Sequence, residues 1–182
     1  MTTVLNDKAA ARWSALFIVA FTMMAAYYVN DIMAPLQSML EGQLGWTSGE
    51  FGFFTGAYSF LNVFLLMLIW GGLILDKFGI RFTGILATVL MVGGTAAEYI
   101  AITTLGHGTE TIFGYKQDVF IASAGYSVFG VGAEVAGITV TKIIAKWFKG
   151  KEMATAMGVQ VALARIGSQV AYASAIPIAN RS

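Results

Sequence analysis

Residues 51–75 read FGFFTGAYSFLNVFLLMLIWGGLIL, a run without a single charged side chain. Such a run in a water-soluble domain would have to be buried on every face. In a bilayer it needs only length, because about 20 apolar residues rising 1.5 Å each cross the hydrocarbon core. Working outward, residues 13–30 are also charge-free. Residues 82–105 hold only Glu98, residues 119–141 only Glu134, and residues 153–180 only Arg165. The chain reads as five spans, about 13–35, 51–75, 82–104, 119–144 and 153–178. Each is expected to be a helix, since a span in lipid satisfies its own backbone hydrogen bonds.

Composition points the same way. Of 182 residues, 57% are hydrophobic and 12% charged, with mean hydropathy +0.72. Charged residues make up about 25% of an ordinary soluble domain, so a water-soluble globular enzyme and a disordered chain are both excluded. The chain has no Cys, which removes disulfides, thiolate metal sites and a Cys nucleophile. Its one His, His107, sits between two glycines with no partner cluster and reads as an outer-loop residue, so no metal site is expected. A net charge of +1 argues against a nucleic-acid partner. No cofactor, no catalytic residue and no enzymatic activity are expected.

Basic residues set the orientation. Lys8, Arg12, Lys77, Arg81, Lys142, Lys146, Lys149 and Lys151 fall on one side, and only Lys116 and Arg181 on the other. The N-terminus and the loops around 76–81 and 145–152 are therefore expected in the cytoplasm, and the C-terminus outside. The first span lacks a small-residue cleavage site and reads as an uncleaved anchor. Trp13, Trp46, Trp70 and Trp147 fall near span ends, where aromatic belts form. Gly52 and Gly56, and the glycines from Gly93 to Gly137, mark close helix packing.

Between the second and third spans lies Gly72-Leu73-Ile74-Leu75-Asp76-Lys77-Phe78-Gly79-Ile80-Arg81. Gly79 would supply the turn. This pattern resembles the signature loop of the major facilitator superfamily, matched by Gly72, Asp76, Lys77, Gly79 and Arg81, with Ile80 where a basic residue is usual. The superfamily often carries an Arg ahead of a Gly-x-Gly in the fourth span. Gly130 and Gly132 match, but Tyr126 stands in place of that Arg. Further stretches are similar to the lysosomal dipeptide transporter branch and its prokaryotic relatives. They are Asp31-x-x-Ala34-Pro35-Leu36-Gln37, Tyr58-Ser59-x-x-Asn62-Val63, Phe129-Gly130-x-Gly132-x-Glu134, Trp147-Phe148-Lys149-Gly150-Lys151-Glu152 and Ala164-Arg165-Ile166-Gly167-Ser168. The resemblance implies an all-α polytopic membrane bundle and solute transport by alternating access, with small peptides as cargo. It also implies that residues 1–182 are an incomplete N-terminal transmembrane half, so a C-terminal half of the transporter would be a missing partner. The other partners expected are the lipid bilayer and a small solute.

Glu134 and Arg165 are the two deep charges. They stand equally far from the turn at Lys149–Gly150, so antiparallel helices bring them to one depth, about 23 Å from that turn. Charges at the bilayer centre face a cavity or pair. Two readings are open: a salt bridge pinning two helices, and a zwitterion site. In the second, Arg165 grips a carboxylate as a fork and Glu134 accepts an ammonium. Arg165 shares a helix face with Ser168, Gln169 and Tyr172, and Glu134 with Ser127, Gly130 and Thr141. Glu134, Arg165, Asp31 and Gln169 are the candidate cargo contacts. Asp31 and Glu98 lie nearer the outer face, and Asn62 and Gln160 are mid-span polar groups suited to interhelical hydrogen bonds. An organic-anion carrier of the oxalate/formate type is a second cargo reading, and an inactive truncated membrane fragment a third. In a prokaryote the chain would reside in the plasma (inner) membrane.

Overall fold

The computed structural model describes residues 8–65, 67–106, 108 and 110–180. His107 and Arg181 lie outside the described residues. The helices are α1 Ala9–Asp31, α2 Gln37–Gln43, α3 Ser48–Phe64, α4 Met67–Ile100, α5 Gln117–Trp147 and α6 Met153–Ala179. A π-helical turn, Ala101–Leu105, extends α4. The chain is 86% helical. Four described helical stretches are long and apolar enough to cross a membrane: Ala9–Gln43, Met67–Leu105, Gln117–Trp147 and Met153–Ala179.

The helix boundaries follow local chemistry. The α3 start is a capping box: the Thr47 hydroxyl accepts from the Glu50 amide, while the Glu50 carboxylate accepts from the Thr47 amide at 2.8 Å. Acidic Asp118 lies in the first turn of α5 and basic Lys146 in its last, each matched to the helix dipole. Pro177 falls near the end of α6, where a lost ladder bond matters little. The expected second span, 51–75, is not one uninterrupted helix: α3 ends at Phe64, Leu65 has φ −92° and ψ 4°, and α4 begins at Met67. At the signature loop the turn is a single residue. Gly79, with φ 78° and ψ 174°, is the one non-helical position inside α4, and the Thr83 hydroxyl donates to its carbonyl at 2.9 Å.

The chain divides into two compact units, Met1–Ala34 with Gly137–Ser182, and Pro35–Ala136. In the first unit α1 packs on α6. The buried side of α6 is built from small residues, Ala156, Ala164, Gly167, Ser168, Ala171 and Ala175. The facing side of α1 buries Leu16, Ala20, Met23 and Ala26. A Cβ at Gly167 would run into the Met24 carbonyl oxygen, so this contact is backbone against side-chain-free backbone.

The second unit has a seam of the same kind between α4 and α5. A Cβ on Gly94 would lie 2.5 Å from the Gly125 carbonyl oxygen, and one on Gly132 would lie 2.8 Å from the Ala87 carbonyl oxygen. The two contacts are seven residues apart on each helix and run in opposite directions, an antiparallel heptad register. By contrast, Gly52 and Gly56 have nothing within 4 Å of a Cβ, so that GxxxG step packs on none of the described residues. A two-residue hairpin joins Thr111–Ile112 to Tyr115–Lys116, with Phe113 (φ 52°) and Gly114 (φ 84°) at its tip.

Trp46 is not a belt residue. It is 3% exposed, and its Nε1 donates to Asp118 Oδ2 at 2.7 Å. Lys116, counted from sequence as an outer-loop charge, ties the 44–45 turn: its Nζ donates to the Leu44 carbonyl at 3.0 Å and to that of Gly45. Arg12 is 6% exposed and pairs with Glu152 at 3.4 Å.

Candidate functional site

The second unit places Glu134 beside α3. Polar atoms mid-helix must find partners on neighbouring helices, and α5 is bare enough here for α3 to come close. A Cβ at Gly130 would stand 2.7 Å from the Tyr58 carbonyl oxygen. Ser127 adds a buried hydrogen bond from its hydroxyl to the Ala57 carbonyl at 2.8 Å. The approach lets the Tyr58 hydroxyl donate to Glu134 Oε1 at 3.4 Å. Glu134, Tyr58, Ser59 and Asn62 line one cleft of about 400 Å³, closed elsewhere by Val63, Leu68 and Ile69.

Earlier on α5, Tyr126 fills the position where the superfamily pattern has an Arg. It is 6% exposed and stacks on Phe54 with ring centroids 4.8 Å apart, beside Tyr58 at 5.5 Å and Phe129 at 6.1 Å. An aromatic pile therefore takes the volume a guanidinium would use. Glu98, on α4, is 6% exposed with Oε1 lacking a hydrogen-bond partner among the described residues, and its amide lies 3.0 Å from a Cβ built on Gly125.

The first unit carries Arg165. It sits on the exposed face of α6 with Gln169 and Tyr172, while Ser168, expected on the same face, is buried on the other. The Arg165 guanidinium lies over the Tyr27 ring, 5.8 Å from its centroid, and the next residue along α1, Tyr28, meets Ser174, Oη to Oγ, at 3.2 Å. A guanidinium on an aromatic face keeps its in-plane N–H donors free for a carboxylate. Asp31, at the end of α1, accepts from Asn30 Nδ2 at 2.6 Å. Glu134 and Arg165 thus belong to different units, each with its own partners.

The signature residues cluster around the turn at Gly79. Gly72, Asp76 and Lys77 lie on the last helical turns before it, and Arg81 follows it. Asp76, Lys77 and Arg81 are exposed, and the Lys77 ammonium lies 5.4 Å from the centre of the Phe78 ring. Two partnerships had no sequence signal, Trp46 with Asp118 and Arg165 with Tyr27. Tyr58 stood in a quoted motif, but nothing local tied it to Glu134.

An almost wholly helical chain, with long apolar helices and polar groups held at mid-span, is an integral membrane helical bundle. Its sequence relatives are transporters. The chain is 29% identical over 165 residues to the mouse (Mus musculus) lysosomal dipeptide transporter MFSD1, covering 90% of this chain and 32% of that protein. The zebrafish (Danio rerio) protein of the same name is 29% identical over 156 residues, covering 85% and 31%. A probable anion transporter 2, chloroplastic, of rice (Oryza sativa subsp. japonica) is 25% identical over 155 residues, covering 85% and 26%. The similarity runs along nearly the whole chain and is to transporters of the major facilitator superfamily. The chain spans about a third of the length of the dipeptide transporters it matches. No protein-family model and no solved structure matches it.

Proposed function

We propose that the chain is part of a secondary transporter that moves small peptides across a membrane by alternating access, without covalent chemistry. The observation that carries this is the similarity to dipeptide transporters over 90% of the chain. The side chains suit such cargo: Glu134 offers a carboxylate in an open cleft, and Arg165 offers a guanidinium on an exposed face. A dipeptide presents the complementary ammonium and carboxylate. In this reading Gln169 and Asp31 are further cargo contacts, and Gly72, Asp76, Lys77, Gly79 and Arg81 form the cytoplasmic turn that controls conformational exchange. Five spans, a cytoplasmic N-terminus and, in a prokaryote, the plasma membrane belong to the same reading. At a third of its relatives' length, the chain supplies part of the cargo pathway, and a C-terminal half supplies the remainder.

A second reading, an organic-anion carrier, has support in the rice anion transporter. Glu134 weighs against it, because a small-dianion site gains nothing from a fixed carboxylate. Uptake by the full gene product in proteoliposomes separates the two. The expected result is saturable uptake of Leu-Ala, lost in Arg165→Ala while the protein still reaches the membrane. Uptake of oxalate in place of any dipeptide would select the second reading.

A further inference from the structure

Beside the Glu134 cleft lies a buried acceptor with no hydrogen-bond partner among the described residues. Asn62 Nδ2 donates to the Tyr58 carbonyl at 2.9 Å, which fixes the amide's orientation, since only the nitrogen can donate. Its Oδ1 is buried and has no hydrogen-bond partner among the described residues. Buried orphan acceptors are rare because each forfeits the water it gave up. Gly130 leaves room for the amide: a Cβ there would lie 3.1 Å from Asn62 Nδ2. Glu134 is four residues further along α5, one turn on, and its link to Tyr58 is a long 3.4 Å. Most of the carboxylate's acceptor capacity is therefore open.

We propose that Asn62 Oδ1 and the Glu134 carboxylate together accept the ammonium group of the cargo. This deepens the peptide reading above and rests on it. An ammonium brings three donors and no acceptor, the complement of the Glu134 carboxylate and of an amide oxygen that reaches the same cleft once Asn62 turns. An anion finds no donor in the pair. A hard metal cation wants about six oxygens or more, whereas Val63, Leu68 and Ile69 supply none and suit the hydrocarbon next to an amine. Engagement requires Asn62 to turn outward, and its unsatisfied oxygen lowers the cost of that turn.

The test is uptake of Leu-Ala by the full gene product in proteoliposomes, with N-acetyl-Leu-Ala as a competitor that lacks the ammonium. Asn62→Leu is expected to raise the KM for Leu-Ala about tenfold, the scale of a hydrogen bond to a charged group. The inhibition constant of the acetylated peptide stays within about twofold. Asn62→Asp keeps an acceptor and adds charge, so it lowers the KM for Leu-Ala, and this arm stands if Asn62→Leu fails to fold. Equal losses for both peptides, or an unchanged or raised KM in Asn62→Asp, would overturn the assignment. If Glu134→Gln separates the two peptides and the Asn62 variants do not, only Asn62 falls. Failure of the wild type to take up Leu-Ala removes the peptide reading itself.

Discussion

Asp118 shows how much one side chain can depend on a distant one. It is 1% exposed, and Trp46, 72 residues earlier, donates to it. Trp46→Phe keeps an aromatic ring and deletes the donor, so a buried carboxylate loses a partner. The expected loss is about 1–3 kcal/mol, read as a lower Tm in detergent. Adding Asp118→Asn to the Trp46→Phe variant should recover part of it, because a neutral amide is cheaper to leave unpaired. Nothing local in the sequence announces this pair. Trp46 lies near a span end, which is where belt tryptophans lie, and the polar partner that draws it inward is remote in the chain. Glu134 and Arg165 were legible for the opposite reason: each is a lone charge in a long apolar run. Their immediate partners Tyr58 and Tyr27 were not, since helix periodicity specifies a face and not the neighbour that the face meets.

At the level of elements, charge-free runs gave the helices and missed the interruption at Leu65. Leu has no turn chemistry, so a break there leaves no mark in the sequence. Gly79 did leave one. At φ 78° with nothing within 4 Å of a Cβ, Gly79→Ala meets a penalty from backbone geometry alone. The expected cost is about 1–3 kcal/mol, with Gly79→Asn as costly as Gly79→Ala, because Asn tolerates positive φ only in the left-handed helical region and Gly79 has ψ 174°. Thermal unfolding of the two variants side by side checks that they fall together. Gly167→Ala should be far worse, because its methyl meets the Met24 backbone and not a movable side chain.

The tie between the start of α1 and the loop ahead of α6 is pH-sensitive. Glu152's pKa is held below the ordinary 4.5, first by a hydrogen bond from its own amide and then by the Arg12 charge. A depressed carboxyl pKa stabilises the folded state above the unfolded value, and that stabilisation is lost as pH falls through the folded value. Protection of the amides at residues 149–153, taken against the intrinsic exchange rate at each pH, should therefore be highest at neutral pH and fall on acidification below about pH 4.5. In Arg12→Ala the fall should be shallower, because the folded value then lies nearer the ordinary carboxyl value. Identical profiles in the two proteins would mean that Arg12 does not hold the loop.

For the whole molecule, topology is the property the sequence states most directly, through eight basic residues against two. A reporter fused ahead of Lys8 is expected in the cytoplasm, and one fused after Ala179 outside. Cytoplasmic activity from both would change the span count by one. The seam of α4 on α5 carries a consequence of another kind. Contacts at Gly94–Gly125 and Ala87–Gly132 recur seven residues apart, about 10 Å along a helix. Backbones locked at two such points cannot slide past each other to shorten or lengthen the pair. In a thin or a thick bilayer the remaining way to match hydrophobic length is tilt. The two helices then lean as one piece, so a change in acyl-chain length reaches Glu134 as a rotation of α5 and not as a change in the register of α5 on α4.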